Sequence, residues 1–202
     1  MCRRQKRSSV EIRKPIMILK RITKALTFLL MLVQAGTALA QQAQVSEYEV
    51  KAAFLYNFAK FLEWPDDSGT DAQDEFVIGI LGQDPFGSDI AVIEGKSVNG
   101  KILRIVQSDS PAELNNCRVL FISGSVENRL DDILKKLGSR PVLTVGDTHG
   151  YAHAGVMINL YKKENKIRFE INPGAAEKAG LRISSHLLRL ARIIDPCKGA
   201  DQ

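Results

Sequence analysis

Apolar side chains recur at the spacing of one helix face across residues 45–65, which predicts the first helix of the folded domain. Ser46 and Glu49 form a capping box at its start, because each side chain can accept a hydrogen bond from the other residue's backbone N–H. Pro65 disfavours helix at Trp64, so the helix is predicted to end there. Asn57 falls within the apolar arc and is predicted to be buried with its amide bonded to backbone, and the alternative is a contact with a partner. The other members of that arc are Val50, Phe54, Leu55, Phe58, Phe61, Leu62 and Trp64.

The next part of the chain alternates short apolar runs with segments that favour helix. The apolar runs at 76–81, 102–106, 118–122 and 142–145 have the length of buried strands, and 88–93 and 126–137 are predicted helices. Apolar strands that alternate with helices are typical of a mostly parallel sheet covered on both faces.

The pattern changes after residue 155. Segments 156–161 and 167–172 are joined by a polar Lys-Lys-Glu-Asn turn, which predicts a β-hairpin. One last helix is predicted to contain residues 181–194, with Arg182, Arg189 and Arg192 in solvent. The predicted fold is a single-domain α/β sandwich with a mostly parallel central sheet and an antiparallel hairpin at one edge.

The first forty residues have the organisation of an export signal. Basic residues precede an apolar run at 25–33, and Ala38-Leu39-Ala40 is a small-residue cleavage site. We expect cleavage after Ala40, a domain at 41–202 and a periplasmic location. The apolar run is shorter than the ~20 residues that span a bilayer, so the mature chain is not expected to span the membrane. Met17 is an alternative start to Met1.

Loss of the signal changes the charge of the protein. The first forty residues hold nine of the 28 basic residues and one of the 23 acidic residues, so 19 bases and 22 acids remain, a net charge of −3. Nucleic-acid binding needs a basic stripe or an aromatic platform, and this balance of charge argues against it.

Cys117 and Cys197 are the mature cysteines, and in an oxidising compartment they form a candidate disulfide.

Motifs that carry chemistry are weak in this sequence. The spacing of Gly82 and Gly87 matches a phosphate loop, but Ser88 and Asp89 stand where Lys-Ser/Thr would follow. His149 and His153 lie in a glycine-rich segment without a complete ligand set, which favours a solvated turn over a metal site. No catalytic residue, metal or cofactor is therefore predicted, and the protein is not expected to be an enzyme.

Arg182 and His186 are the candidate small-ligand residues. They lie one turn apart on the predicted last helix and could together bind a small anion. The alternative is a surface helix that carries one partly buried imidazole.

Five segments of the chain carry a resemblance to a known family: EYEVKAAFLYNFAKFLEWP, FVIGILGQDPFG, CRVLFISGS, GVMINLYKKENKIRFEIN and AGLRISSHLLRLARI. Taken together they resemble the YfiR family of periplasmic proteins, and the first helix with its terminal Trp-Pro and the closing pair of segments are the most specific parts. The resemblance implies an α/β sandwich without known catalytic activity, which inhibits an inner-membrane diguanylate cyclase through its periplasmic sensor domain. It also implies lower cyclic-di-GMP, less biofilm, and a homodimer as a candidate state.

Better-known members of the YfiR family have two disulfides, whereas this mature chain has two cysteines, which puts redox switching in doubt. A function of another class also fits the sequence. The protein would then be a periplasmic small-molecule sensor that acts on a different membrane receptor, such as a histidine kinase.

The last hairpin strand is the candidate partner-binding surface. Alternation sends Phe169 to the core face and sends Arg168, Glu170 and Asn172 to the other face. At a sheet edge, a partner could contact these side chains and unpaired backbone groups. The alternative is that the charges only protect the edge against aggregation.

Overall fold

The computed structural model describes residues 45–65 and 75–195. Helix α1, Glu47–Phe61, begins at Ser46, whose Oγ accepts hydrogen bonds from the backbone N–H groups of Tyr48 and Glu49. The predicted N-cap is therefore confirmed. The helix ends at Phe61 and not at Trp64, because the chain turns extended and pairs with a later strand.

Helices and strands alternate along the described residues, as the sequence predicts. Short 3-10 helices occupy several of the connections between strands. The elements after α1 are β1 (Leu62–Glu63), β2 (Glu75–Leu81), a 3-10 helix at Gly87–Val92, β3 (Ser97–Val98), β4 (Lys101–Ser108), 3-10 helices at Pro111–Leu114 and Gly124–Arg129 on either side of β5 (Val119–Ile122), α2 (Leu130–Leu137), β6 (Leu143–Gly146), β7 (Ile158–Lys163), β8 (Lys166–Ile171), α3 (Pro173–Lys178), β9 (Arg182–Ile183), α4 (Ser185–Leu190) and β10 (Arg192–Ile193).

Within the described residues the strands form an eight-stranded mixed sheet with the order β10-β8-β7-β6-β5-β2-β4-β3. Strand β2 pairs in parallel with β4 and β5, and the parallel run continues through β6 to β7. Strands β7 and β8 form the predicted antiparallel hairpin, whose turn residues Glu164 and Asn165 both have positive φ, as in a type I′ turn. The predicted α/β fold class is confirmed. A second, two-stranded sheet pairs β1 with β9.

Each face of the large sheet packs against a separate hydrophobic core. On the α1 face, Phe58 contacts Phe169 with ring centroids 5.3 Å apart. On the α2 face, Ile133 packs with Leu120 and Tyr151. Two hydrophobic layers thus enclose the sheet, and the described residues fall in one compact unit. No helix among them is both long and apolar enough to cross a membrane.

The buried face of α1 differs from the predicted arc. Asn57 is exposed, Phe61 is 45% exposed, and Lys51 is buried. The helix contacts the sheet through the small side chains Ala52 and Ala59 as well as through larger ones, which rotates the buried face away from Asn57. The predicted burial of Asn57 is therefore wrong.

The prediction of one continuous helix over residues 181–194 is also wrong. Helix α3 ends at a Schellman motif, in which Gly180 has φ 71° and the N–H of Leu181 donates to the carbonyl of Ala176. Ser184 then caps the separate helix α4 by accepting a hydrogen bond from the N–H of Leu187. The segment between them becomes β9, which pairs with β1.

Candidate functional site

Strand β2 lies between β4 and β5, the next two parallel strands of the chain, so the strand order reverses at β2. The carboxyl ends of β2, β5 and β6 meet at this position. Ligands of open α/β sheets commonly bind at such a position. A cleft of about 570 Å³ opens there between the start of α1 and three loops, at residues 83–85, 123–125 and 147–148. We call it the switch-point cleft.

A buried lysine forms one wall of the switch-point cleft. Lys51 is 4% exposed, and its Nζ lies 2.8 Å from Asp147 Oδ2 and 2.8 Å from Glu47 Oε1. The hydroxyl of Tyr48 donates to Asp147 Oδ2 at 3.2 Å, and the Nζ of Lys51 also lies 4.2 Å from the centre of the Tyr48 ring. At the rim, Lys162 pairs with Glu47 at 3.0 Å. The positive charges of Lys51 and Lys162 are therefore balanced by the negative charges of Glu47 and Asp147.

These contacts shift the pKa values of the groups. Burial alone would lower the pKa of Lys51, but hydrogen bonds to Asp147 and Glu47 outweigh burial and raise that pKa above its ordinary value. The same hydrogen bond to Lys51, together with one from Lys162, lowers the pKa of Glu47. Burial raises the pKa of Tyr48, and the Asp147 carboxylate adds to the effect. Lys51 and Glu47 are thus held in their charged forms and Tyr48 in its neutral form.

The loops of the switch-point cleft pack so closely that glycine is required. Gly82 has φ 91°, and a Cβ on it would lie 2.6 Å from the Oγ of Ser125. That Oγ accepts a hydrogen bond from the N–H of Gln83 at 2.9 Å and lies 3.2 Å from Ser123 Oγ. A Cβ on Gly124 would lie 2.8 Å from Thr148 Oγ1. The sequence therefore builds a rigid polar rim of hydroxyls and backbone groups, which can bind a ligand by hydrogen bonds.

Neither Lys51 nor Asp147 was predicted from the sequence as a site residue. The spacing of Glu47 and Lys51, four residues apart on a helix, was the local signal that could have indicated an ion pair. Asp147 follows a buried strand, which is a common place for functional side chains. Their contact across 96 residues could not be found from either signal alone.

The structure does not place Arg182 and His186 one helical turn apart, so the predicted geometry of that pair is wrong. Arg182 lies on β9 opposite Glu63, and His186 lies in α4 with its ring 6.1 Å from the ring of Phe61. Arg182 lines a cleft of about 960 Å³ beside Trp64, and His186 is absent from the described lining of that cleft. Their role in ligand binding stays a prediction.

The predicted exposure of Glu170 and Asn172 is wrong. Glu170 is 8% exposed and accepts a hydrogen bond at 3.2 Å from the guanidinium of Arg192. Asn172 is 1% exposed, and its amide nitrogen donates to the carbonyl of Ala152 at 2.9 Å. The reason is that β10 returns to pair with the outer side of β8 at Glu170 and Ile171. Phe169 packs into the core as predicted, and Arg168 is exposed.

Other predictions concern residues that the structure covers only in part. Cys117 is 4% exposed, and burial raises the pKa of its thiol to about 11. Cys197 and the signal segment 1–40 lie outside the described residues, so the disulfide and the cleavage site stay predictions. Within the described residues, no group of three or more His, Cys, Asp or Glu side chains converges as a metal site.

A comparison with models of protein families gives a match over most of the chain. A family model described as YfiR/HmsC-like matches residues 48–192. No curated protein sequence matches the chain.

Solved structures give more distant likenesses. The chain is similar to the ABC domain in complex with L-Trp from Streptococcus pneumonia, with a TM-score of 0.44 and 10% identity, over 59% of this chain and 55% of that one. It is also similar to a conserved domain protein from Vibrio cholerae O1 biovar El Tor, with a TM-score of 0.47 and 12% identity, over 74% of this chain and 60% of that one. The chain thus matches less than two thirds of the length of either structure.

Proposed function

The chain belongs to the YfiR/HmsC-like family of periplasmic regulators of cyclic-di-GMP signalling, and from this premise we propose that it represses an inner-membrane diguanylate cyclase. The exported domain, residues 41–202, binds the periplasmic sensor domain of the cyclase and thereby lowers cyclic-di-GMP and biofilm formation. The family match over residues 48–192 is the observation that carries the proposal, because it covers the chain from α1 to the start of β10.

The outer part of the hairpin is our candidate surface for the cyclase. We restrict the proposed surface to the part of β8 that precedes Glu170, because β10 pairs with Glu170 and Ile171. Arg168 is exposed there, and Lys163 lies directly opposite Lys166 in the hairpin. Like charges in opposite positions destabilise a hairpin, so an acidic partner surface would relieve their repulsion.

A direct binding experiment tests this surface. Purified residues 41–202 are titrated with the periplasmic domain of the cyclase encoded beside the gene. We expect Arg168→Glu to weaken binding at least about tenfold, since it reverses a charge at the interface. Lys136→Glu is the matched control, because Lys136 is an exposed cation on α2 and lies outside the hairpin. Equal affinity of the two variants would contradict the surface.

A cellular experiment tests the repression itself. Deletion of the gene should raise cyclic-di-GMP and biofilm in a strain that carries the neighbouring cyclase, and Arg168→Glu should reproduce that effect at normal protein abundance. Unchanged cyclic-di-GMP after deletion would refute repression, whichever surface is used.

Export with cleavage after Ala40 has its own test. The N-terminal sequence of the periplasmic protein should begin at Gln41. A full-length chain recovered in the membrane would contradict export with cleavage.

A small-molecule sensor that acts on another membrane receptor is the second candidate function. The switch-point cleft favours it, because hydroxyl and backbone groups converge there at the position where α/β sheets commonly bind ligands. A deletion that alters the output of a neighbouring histidine kinase and leaves cyclic-di-GMP constant would support the sensor over the repressor.

A further inference from the structure

An apolar groove lies on the α2 side of the sheet, away from the hairpin tip and from the switch-point cleft. It has a volume of about 810 Å³, which is within the range of small-molecule sites. Its walls come from the last turn of α2, the loop at residues 153–155, the start of α3 and the segment that follows β10. Ile193, on β10, contributes to this lining and is 49% exposed.

The apolar lining of the groove is aliphatic. Leu134 and Leu137 of α2 line it together with Met157 and the Ile193-Ile194 pair, and the described lining contains no Phe, Tyr or Trp. Aliphatic walls without an aromatic platform suit a flexible hydrocarbon chain, which gains free energy with each methylene that it removes from water. The imidazole of His153 is the single aromatic ring among the described lining residues, so a flat ring would find little stacking there.

The rim of the groove is basic. Among the described lining residues, Lys135, Arg140 and Lys178 carry positive charge and Asp195 carries negative charge. Neither Lys135 nor Lys178 forms an ion pair with another described residue. Three cations and one carboxylate give the described rim a net positive charge, which attracts an anionic group.

Arg140 gives a second, independent indication. One of its terminal nitrogens donates to Asn115 Oδ1 at 3.1 Å, but its Nε is buried and has no hydrogen-bond partner among the described residues. A buried donor without a partner destabilises the protein. A carboxylate is the acceptor that matches a guanidinium best, and a turn of the Arg140 side chain toward the groove would bring this donor to it.

From these observations we propose that the groove binds an aliphatic monocarboxylate, with the hydrocarbon chain between α2 and β10 and the carboxylate at Arg140. Lys135 and Lys178 add to the attraction of the head group. The site is independent of the proposed repression, since it uses neither the hairpin tip nor the switch-point cleft.

Isothermal titration calorimetry of the purified domain tests the proposal with hexanoate, octanoate and decanoate, and with 1-octanol as the uncharged probe. Each added methylene should strengthen binding about threefold. Octanoate should bind at least tenfold more tightly than 1-octanol, because only octanoate carries the charge. Hydrogen exchange should slow at the amide of Ile194, which donates to the Ile171 carbonyl at 2.7 Å beside the groove.

Matched variants locate the site. Arg140→Gln should weaken octanoate binding at least tenfold and leave 1-octanol binding unchanged. Lys135→Gln should weaken octanoate binding a few-fold, whereas Lys136→Gln should not, because Lys136 is the neighbouring cation outside the groove. Ala154→Trp should block the groove from its exposed side and abolish binding of all the probes.

Two results would overturn the proposal. One is the absence of binding by decanoate at millimolar concentration. The other is binding that persists unchanged in both Lys135→Gln and Ala154→Trp, since these variants alter the rim and the entrance while Arg140 keeps its contact with Asn115.

Discussion

The Nζ of Lys51 lies 2.8 Å from Asp147 Oδ2, and this contact ties the first turns of α1 to the loop after β6. The side chains of the two residues are 6% and 10% exposed, so both charges are largely removed from water. Each charge is tolerated there because the other is present. This ion pair thus adds a buried polar contact to the apolar packing that holds α1 on the sheet.

We expect Lys51→Met to destabilise the protein by about 3 kcal/mol, because it leaves Glu47 and Asp147 together without their shared cation. Asp147→Asn should cost less, and the double variant should lose less stability than the two single losses combined. Urea unfolding measures each value. Lys162→Met is the control, since the Lys162 side chain is 52% exposed, and its loss should cost under about 1 kcal/mol. If the double variant loses as much unfolding free energy as the two single variants together, Lys51 and Asp147 are not coupled and the prediction is wrong.

The pH dependence of stability should include a contribution from Glu47. The pKa of Glu47 is lowered from its ordinary value of 4.5 by hydrogen bonds from Lys51 and Lys162. The carboxylate therefore stabilises the fold above that value, and the contribution is lost as pH falls through the lower pKa of the folded state. Glu47→Gln should flatten the dependence of unfolding free energy on pH below about 5. A slope equal to that of the wild type would refute this assignment.

Gly82 should tolerate substitution less well than Gly100. Both have positive φ, 91° and 83°, but a Cβ on Gly82 would lie 2.6 Å from Ser125 Oγ, whereas no atom lies within 4 Å of one on Gly100. Gly100→Ala should cost about 1 kcal/mol for backbone conformation alone. Gly82→Ala should cost at least about 2 kcal/mol more, because the loops must separate. Thermal unfolding compares the two variants, and similar midpoints would contradict the close packing of these loops.

Glu170→Lys should unfold part of the sheet edge. The substitution places a cation at a position that is 8% exposed and next to Arg192, whose guanidinium now pairs with Glu170. We expect a loss of about 3 kcal/mol in denaturant unfolding. Glu177→Lys, at an exposed position on α3, should change stability by under about 0.5 kcal/mol. Comparable stability of both variants would show that Glu170 is not held by β10.

The thiol of Cys117 should be inert in the folded protein. Burial raises its pKa to about 11, so the reactive thiolate is scarce at about pH 8. A thiol reagent should label Cys117 only after unfolding. If Cys117 instead pairs with Cys197, the unfolded protein labels only after reduction. Rapid labelling of Cys117 in the native state would contradict its burial.

The sequence by itself determined those features that neighbouring residues control. The cap at Ser46, the strand-helix alternation and the hairpin turn at Glu164 and Asn165 follow from capping, periodicity and turn preferences, and all of them are found in the structure. Gly180 and Ser184 are also local signals for a break in the last helix, but the prediction rested on the apolar periodicity across 181–194 and did not use them.

Only the tertiary structure decided which polar groups became buried. Lys51 reaches Asp147 across 96 positions in the chain, and β10 returns to cover Glu170 from 22 positions away. Periodicity along one segment describes a face but not its partner, so it cannot tell a solvated charge from a paired one. The cost of burying a charge is met by residues that are distant in sequence, and for that reason the switch-point cleft and the true edge of the sheet appear only in the folded chain.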